Sequence, residues 1–321
     1  MPPRAIAGGR VAIEAGARPF AIDPFPSVRF GGEQAHVVAA SARRLVAVVP
    51  AGAPTGQVPI AVGDDGEPAG TVEIGAIAAG ELHQVDSPAF DPDGNLYATV
   101  SGTRGQEVPV SIFRIRPDGT RDAVATGIVN ATSIAFDPFG ELCVTSRFDG
   151  AVYRVKRDGT IEKIASDLGV ACGLAFAPDG TMYVGDRSGT LFRVNAAGKV
   201  IPLVTLPPSM AAFHLAIGPD ESVYVSVPTF SSHDAVYRVD RRGDLSVFAD
   251  GFGRPQGLAV DAEGTLHVTE ALAGSSGIYR VGAGGTRELV LAGEGLIGLA
   301  FHPARGAAVA SGDSVYLLPG W

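Results

Sequence analysis

A chain of 321 residues with 46% hydrophobic content and a mean hydropathy of +0.22 holds enough apolar material for one large core or two domains, which excludes intrinsic disorder. Its 34 acidic residues against 25 basic ones leave a formal charge of -9, with no Lys/Arg-rich run to follow a phosphate backbone or an anionic membrane, so nucleic acid is not an expected partner. The 43 glycines and 23 prolines are spread along the chain without a collagen period, as many short strands joined by tight turns require, and they predict an all-β fold.

The first ten residues lack the uninterrupted apolar stretch of a signal peptide, and no segment approaches the length needed to span a bilayer. This predicts a soluble chain, either cytoplasmic or exported with its leader removed, and no membrane insertion. Short strands with turn glycines are expected at 10–14, 27–32, 35–38, 45–50 and 57–62, with a domain boundary near 70–79. Gly8-Gly9, Phe30-Gly31-Gly32, Val49-Pro50 and Gly56-Gln57-Val58-Pro59-Ile60 follow in the order found in the immunoglobulin-like IPT/TIG family, which residues 1–75 resemble. The resemblance implies a small β-sandwich serving as a spacer or docking module for a protein partner.

From about residue 80 the chain repeats. Segments beginning Ser87-Pro88-Ala89-Phe90, Ser133-Ile134-Ala135-Phe136, Gly173-Leu174-Ala175-Phe176, His214-Leu215-Ala216-Ile217, Gly257-Leu258-Ala259-Val260 and Gly298-Leu299-Ala300-Phe301 share one register and lie 40 to 46 residues apart. In each copy a short apolar run leads to a hairpin turn such as Asp91-Pro92-Asp93-Gly94, then to a second strand such as 182–185 and a third such as 151–155. A second turn and a fourth strand such as 245–248 complete the unit. Four strands at this period predict a six-bladed β-propeller over residues 80–321. The last copy has only three strands, 297–301, 307–310 and 315–318, and the expected donor of its fourth is the segment 81–85, which would close the ring and leave no open edge.

In such blades the innermost strand starts, and the second strand ends, on one face beside the central channel, so the aligned columns give the site candidates. The column before the innermost strand contains Asp86, Cys172, Phe213 and Gln256; the next contains His214; the columns at the end of the second strand contain Ser146, Asp186 and Glu270, then Arg147 and Arg187. Those side chains could converge on a small polar ligand, with Arg147, Arg187, Gln256, Asp86, Ser146 and Cys172 binding it. Equally, the arginines could tie loops to Asp149 and Asp186 by salt bridges. His214, Glu270 and Asp186 are the catalytic candidates. His214 and His233 with Glu270 could hold one divalent metal ion, the alternative being a hydrogen-bonded His214 and an exposed His233. His267 falls in the column of Tyr97, Tyr183 and Tyr224 and reads as a packing residue. Cys143 and Cys172 are expected buried and reduced. The Asp-Pro-Asp-Gly turns lack the ligand pattern of a calcium loop, and Asn130-Ala131-Thr132 matches a glycosylation acceptor by its three residues alone.

The pattern that runs from Gly173 to Asp186, and again from Gln256 to Glu270, resembles NHL-repeat propellers and the senescence marker protein/gluconolactonase family. That resemblance implies a lactonase or esterase-like hydrolase, or a metal-dependent lyase of the peptidylglycine or streptogramin type, acting on a small polar compound at the channel mouth. Gluconolactonase-like enzymes hold a divalent cation with the column that here contains Asp86, Cys172, Phe213 and Gln256. The other class of function is a non-catalytic recognition propeller with the N-terminal domain as its docking arm.

Overall fold

The computed structural model describes residues 1–63, 66–271 and 276–321. The fold is all-β: among the described residues the one helical element is a single turn at Ala283–Gly285, and no helix is long and apolar enough to cross a membrane. The repeated units are four-stranded antiparallel sheets. One runs Ala131–Phe136, Leu142–Ser146, Ala151–Val155, Ile161–Ala165, and the next Ala171–Phe176, Met182–Asp186, Thr190–Val194, Val200–Thr205. Burial declines from the second strand outward. Every residue of Met182–Asp186 is buried, whereas the outer strand Ile161–Ala165 exposes Glu162 and Lys163. Inner strands are covered by neighbouring sheets on both faces and therefore read as unbroken apolar runs rather than alternating ones. The cores lie between consecutive sheets, as where Cys143, Val152 and Leu168 of one unit pack on Leu174, Met182 and Val184 of the next.

The hairpin aspartates work as turn formers. Asp91 Oδ1 accepts the N–H groups of Asp93 (3.0 Å) and Asn95 (2.9 Å), and Asp137 Oδ1 does the same for Phe139 and Glu141, both at 2.9 Å. Gly94 supplies the positive φ of 78°.

The first strands of the six units touch in series: Ala89–Phe90 meets Ala131–Phe136 on one side and Leu296–His302 on the other, with Ala171–Phe176, His214–Ile217 and Pro255–Val260 between them. Close approach explains the small residues of the second column. A Cβ on Gly257 would collide with Gly298 Cα, one on Gly298 with Ser87 Cα, and one on Gly173 with the Phe213 carbonyl. Four of these first strands carry a register shift near their start, between Ala131 and Ile134, Ala171 and Gly173, Pro255 and Leu258, and Leu296 and Gly298. Such bulges re-aim a side chain that would otherwise stay in the pleat.

The fourth strand of the last unit corrects the sequence-based expectation. The sheet Leu296–His302, Gly306–Ser311, Val315–Leu318 is completed by Ala76–Ala79, with Tyr316 opposite Ile77, and not by residues 81–85. Glu81 adopts a positive φ of 55°, which ends the strand and turns the chain inward. Residues 81–85 then run toward the centre, held by Leu82 N–H on the Asp313 carbonyl and Gln84 N–H on the Gly312 carbonyl.

The N-terminal strands form two sheets around one core. Arg10–Glu14, Arg44–Val48 and His36–Ala40 make the first; the second contains Val28–Phe30, Gly56–Val62 and Glu67–Ile74, and both bury Val11, Phe30, Leu45, Ile60 and Val72. The second sheet does not stop there. Arg4–Ala5 pairs in parallel with Glu67–Ile74 and with Arg287–Ala292, so that one nine-stranded sheet runs on into the fifth repeated unit.

Candidate functional site

The bulged positions at the starts of the first strands deliver Cys172, Gln256 and Ile297 to a cavity of about 270 Å³. Arg147 and Arg187 reach it from just beyond the second strands Leu142–Ser146 and Met182–Asp186. Four of the six expected binding residues, Arg147, Arg187, Gln256 and Cys172, thus meet in one place. Gln84 and Val85, together with Met210 to Ala212, complete the lining. These five were not legible in the sequence, because residues 81–85 read as a strand and 210–212 precede a first strand without repeating any column.

Beneath the cavity lies a buried polar chain. His214 has no exposed surface; its Nδ1 is 2.6 Å from Asp86 Oδ1 and its Nε2 is 3.2 Å from Gln256 Oε1. Asp86 Oδ1 also accepts the Ser87 N–H at 2.6 Å. Asp86 and His214 therefore act on a ligand only through Gln256. They fix the rotamer of Gln256, which lines the cavity.

The carboxylates expected to work as acid or base have other duties. Asp186 Oδ1 accepts the Val170 N–H at 2.8 Å and the Ser188 N–H at 3.2 Å, and Oδ2 accepts the Ser188 hydroxyl. Glu270 accepts the N–H groups of Gly253 (2.6 Å) and Arg254 (2.7 Å). Ser146 Oγ donates to the Val129 carbonyl at 2.7 Å and accepts the Asp149 N–H at 3.0 Å. In all three the last residue of a second strand holds the segment that leads into the adjoining first strand. Ser146, expected to bind substrate, is fully buried in this tether and does not line the cavity.

His233 is also elsewhere. Its exposed ring contacts the Ser232 hydroxyl and lines a separate open groove of about 880 Å³ with Phe230 and Tyr237, which touches the cavity only at Met210. The trio of His214, His233 and Glu270 does not assemble. Among the described residues no group of three His, Cys, Asp or Glu side chains could hold a metal ion. The gluconolactonase-type ligand column fits a cation no better, since a hard divalent ion needs several oxygen ligands. Phe213 is a buried apolar residue, Cys172 a thiol, and the one carboxylate, Asp86, has an oxygen committed to His214 and Ser87.

Burial pushes the Cys172 thiol up to about 11, against the opposing pull of Arg147 and Arg187, and it pushes Cys143 up to about 12. Neither is a thiolate at neutral pH, and both are free and buried. Arg147 is held below the ordinary guanidinium range, first by burial and then by the nearby cations of Arg187 and Arg104. The salt bridges expected as an alternative, Arg147 with Asp149 and Arg187 with Asp186, are not formed: Arg147 Nη2 donates to the Gly102 carbonyl and Arg187 Nε to the Ser209 carbonyl, each at 3.3 Å. Asn130, whose three-residue match to a glycosylation acceptor carried no weight in sequence, is fully buried with its amide bridging Thr103 and Gly105, so no sugar can reach it in the folded chain.

No protein-family model matches the chain, and no curated protein matches it. Solved structures do. An auxiliary nutrient binding protein from Bacteroides thetaiotaomicron is 16% identical, with 98% of this chain and 96% of that one covered at a TM-score of 0.59. A gluconolactonase from Xanthomonas campestris is 19% identical over 76% of this chain and 88% of its own, with a TM-score of 0.63. Regucalcin, a calcium-binding protein from Agrobacterium tumefaciens, is 18% identical over 76% of this chain and 92% of its own, with a TM-score of 0.59. At such identities the likeness is one of fold, and it establishes an all-β, propeller-like chain akin in architecture to gluconolactonases and regucalcin.

Proposed function

We propose that residues 80–321 are a six-bladed β-propeller closed by the strand Ala76–Ala79, that residues 1–75 are an IPT/TIG-like sandwich serving as its docking arm, and that the protein is a lactonase-like hydrolase or lyase for a small polar lactone or ester. The observation that carries the reading is the cavity itself, where Arg147, Arg187, Gln256 and Cys172 converge from three repeated units. Its volume suits a ligand of roughly monosaccharide size, on the order of nine water molecules. The gluconolactonase and regucalcin folds support the same class of substrate.

The chemistry follows from donors. A guanidinium from Arg147 or Arg187 polarises a bound carbonyl and stabilises the oxyanion that develops on it, where partial burial strengthens the interaction. Gln256, held by His214 and through it by Asp86, orients the ligand by its amide. The residues present do not fit a metal.

A second reading, recognition without turnover, rests on one observation: Asp186 and Glu270 spend their oxygens on backbone N–H groups rather than on the cavity. Calorimetric binding and hydrolysis of a lactone and ester panel separate the two, using the parent and Gln256→Ala. The hydrolase reading expects turnover of at least one member and a loss of about tenfold or more in kcat/KM in the variant. Binding without turnover would replace it by recognition, and neither binding nor turnover would overturn both.

A further inference from the structure

In a chain of net charge -9, arginines have carboxylates to pair with, and several do. Arg154 pairs with Glu141 at 2.9 Å, Arg241 with Glu221 at 2.7 Å, and Arg114 with Asp122 at 2.9 Å. Arg147, half-buried, and Arg187, exposed, are the two arginines that line the cavity. Among the described residues neither is in an ion pair, and neither is Arg104, whose charge acts on Arg147. Each guanidinium has five N–H donors, and a single backbone carbonyl takes one from each.

The carboxylates that could neutralise them are turned away by construction. Asp186 adjoins Arg187 in sequence, yet it is folded back onto Val170 and Ser188; Asp86 sits under the same cavity, yet it faces His214. A half-buried cation beside another cation and without a counter-ion costs stability, and such arrangements persist where a ligand removes the cost. The charge that is missing has to come from outside.

We infer that the ligand of this cavity is an oxyanion of carboxylate or phosphate type, gripped by Arg147 and Arg187 and checked by the Gln256 amide, so that neutral analogues are rejected. The inference rests on the reading of the cavity as the ligand site, but not on turnover. The planar fork of a guanidinium matches both oxyanions two-pronged, which a lysine cannot do. For a lactonase-like enzyme this selects substrates that carry an acidic group besides the lactone or ester.

Two measurements test it. The first needs no ligand: thermal unfolding of Arg147→Gln against the parent. If Arg147 is an uncompensated binding group, its removal relieves repulsion and burial cost, and Tm rises by about 2 °C. If Arg147 is a structural tether, Tm falls, and the inference is overturned. The second is titration calorimetry with gluconate, inorganic phosphate, glucose 6-phosphate and, as neutral counterparts, glucose and gluconolactone, at low and high salt. At least one anion is expected to bind about tenfold or more tightly than its neutral counterpart, to weaken with salt, and to lose that advantage in Arg147→Gln/Arg187→Gln. Tighter gluconate assigns the carboxylate class, tighter phosphate or glucose 6-phosphate the phosphate class. Anions that treat parent and double variant alike, including by not binding either, would sink it. Hydrolysis of a neutral lactone that Gln256→Ala abolishes and the double arginine variant retains would leave the lactonase reading standing while removing this one.

Discussion

His267 shows how a residue chosen for packing acquires a pH signature. It occupies the column of Tyr97, Tyr183 and Tyr224, and it is buried with its ring 5.0 Å from Phe301 and 5.6 Å from Trp321. Burial holds its imidazole below the ordinary range, with Asp261 opposing from 3.6 Å. The unfolded chain takes up this proton near pH 6.5 while the folded one resists it, so the unfolded state binds more protons in the window below that value and stability falls as pH drops through it. His267→Tyr restores the residue type of the column and should flatten that slope. Urea unfolding at a series of pH values, followed by the fluorescence of Trp321, the only tryptophan, checks this; equal slopes in parent and variant would contradict it.

At the scale of elements, the repeated join between a second strand and the lead into a first strand does the positioning. Glu270 sits at the end of Leu266–Glu270 and is 1% exposed, and its two backbone partners immediately precede Pro255–Val260, the strand whose bulge presents Gln256. A carboxylate accepts both N–H groups, whereas an amide offers one acceptor oxygen and two hydrogens that point the wrong way. Glu270→Gln should cost about 2 kcal/mol of stability, measured by urea unfolding. An unchanged stability accompanied by lost turnover would instead make Glu270 a catalytic base. The turns and the repeated four-stranded sheets were legible in sequence because they rest on recurring local chemistry, Asx turns and unbroken apolar runs above all. The strand that completes the last sheet was not. Ala76–Ala79 and 81–85 are both short and carry apolar residues, and the left-handed turn at Glu81 separates a paired strand from a segment heading inward.

Across the whole molecule, the chain's two ends meet. Arg4 Nη2 donates to the Gly320 carbonyl at 2.9 Å and its guanidinium lies 4.6 Å from the Trp321 ring, while Gly320 N–H donates to Glu73 at 2.8 Å. With Arg4–Ala5 bridging Glu67–Ile74 and Arg287–Ala292, the N-terminal strands are continuous with the fifth unit. Sequence could separate the two parts by their repeat registers, but pairing between segments nearly the whole chain apart left no local mark. The site divides the same way. The columns contained Arg147, Arg187, Gln256 and Cys172, which line one cavity, yet they could not tell a side chain that faces the cavity from one folded back as a tether, as Asp186, Glu270 and Ser146 are. That distinction depends on which backbone N–H lies nearest, a three-dimensional fact.

Amide hydrogen exchange with and without saturating gluconate, and again with glucose 6-phosphate, tests most directly the claim that the arginine-lined cavity is the ligand site, protection by either anion counting. Protection is predicted in residues 84–86, 209–212 and 253–257, and it should vanish in Arg147→Gln/Arg187→Gln. Protection confined to the groove around 229–234, or to residues 1–75, would contradict the account, as would no protection anywhere.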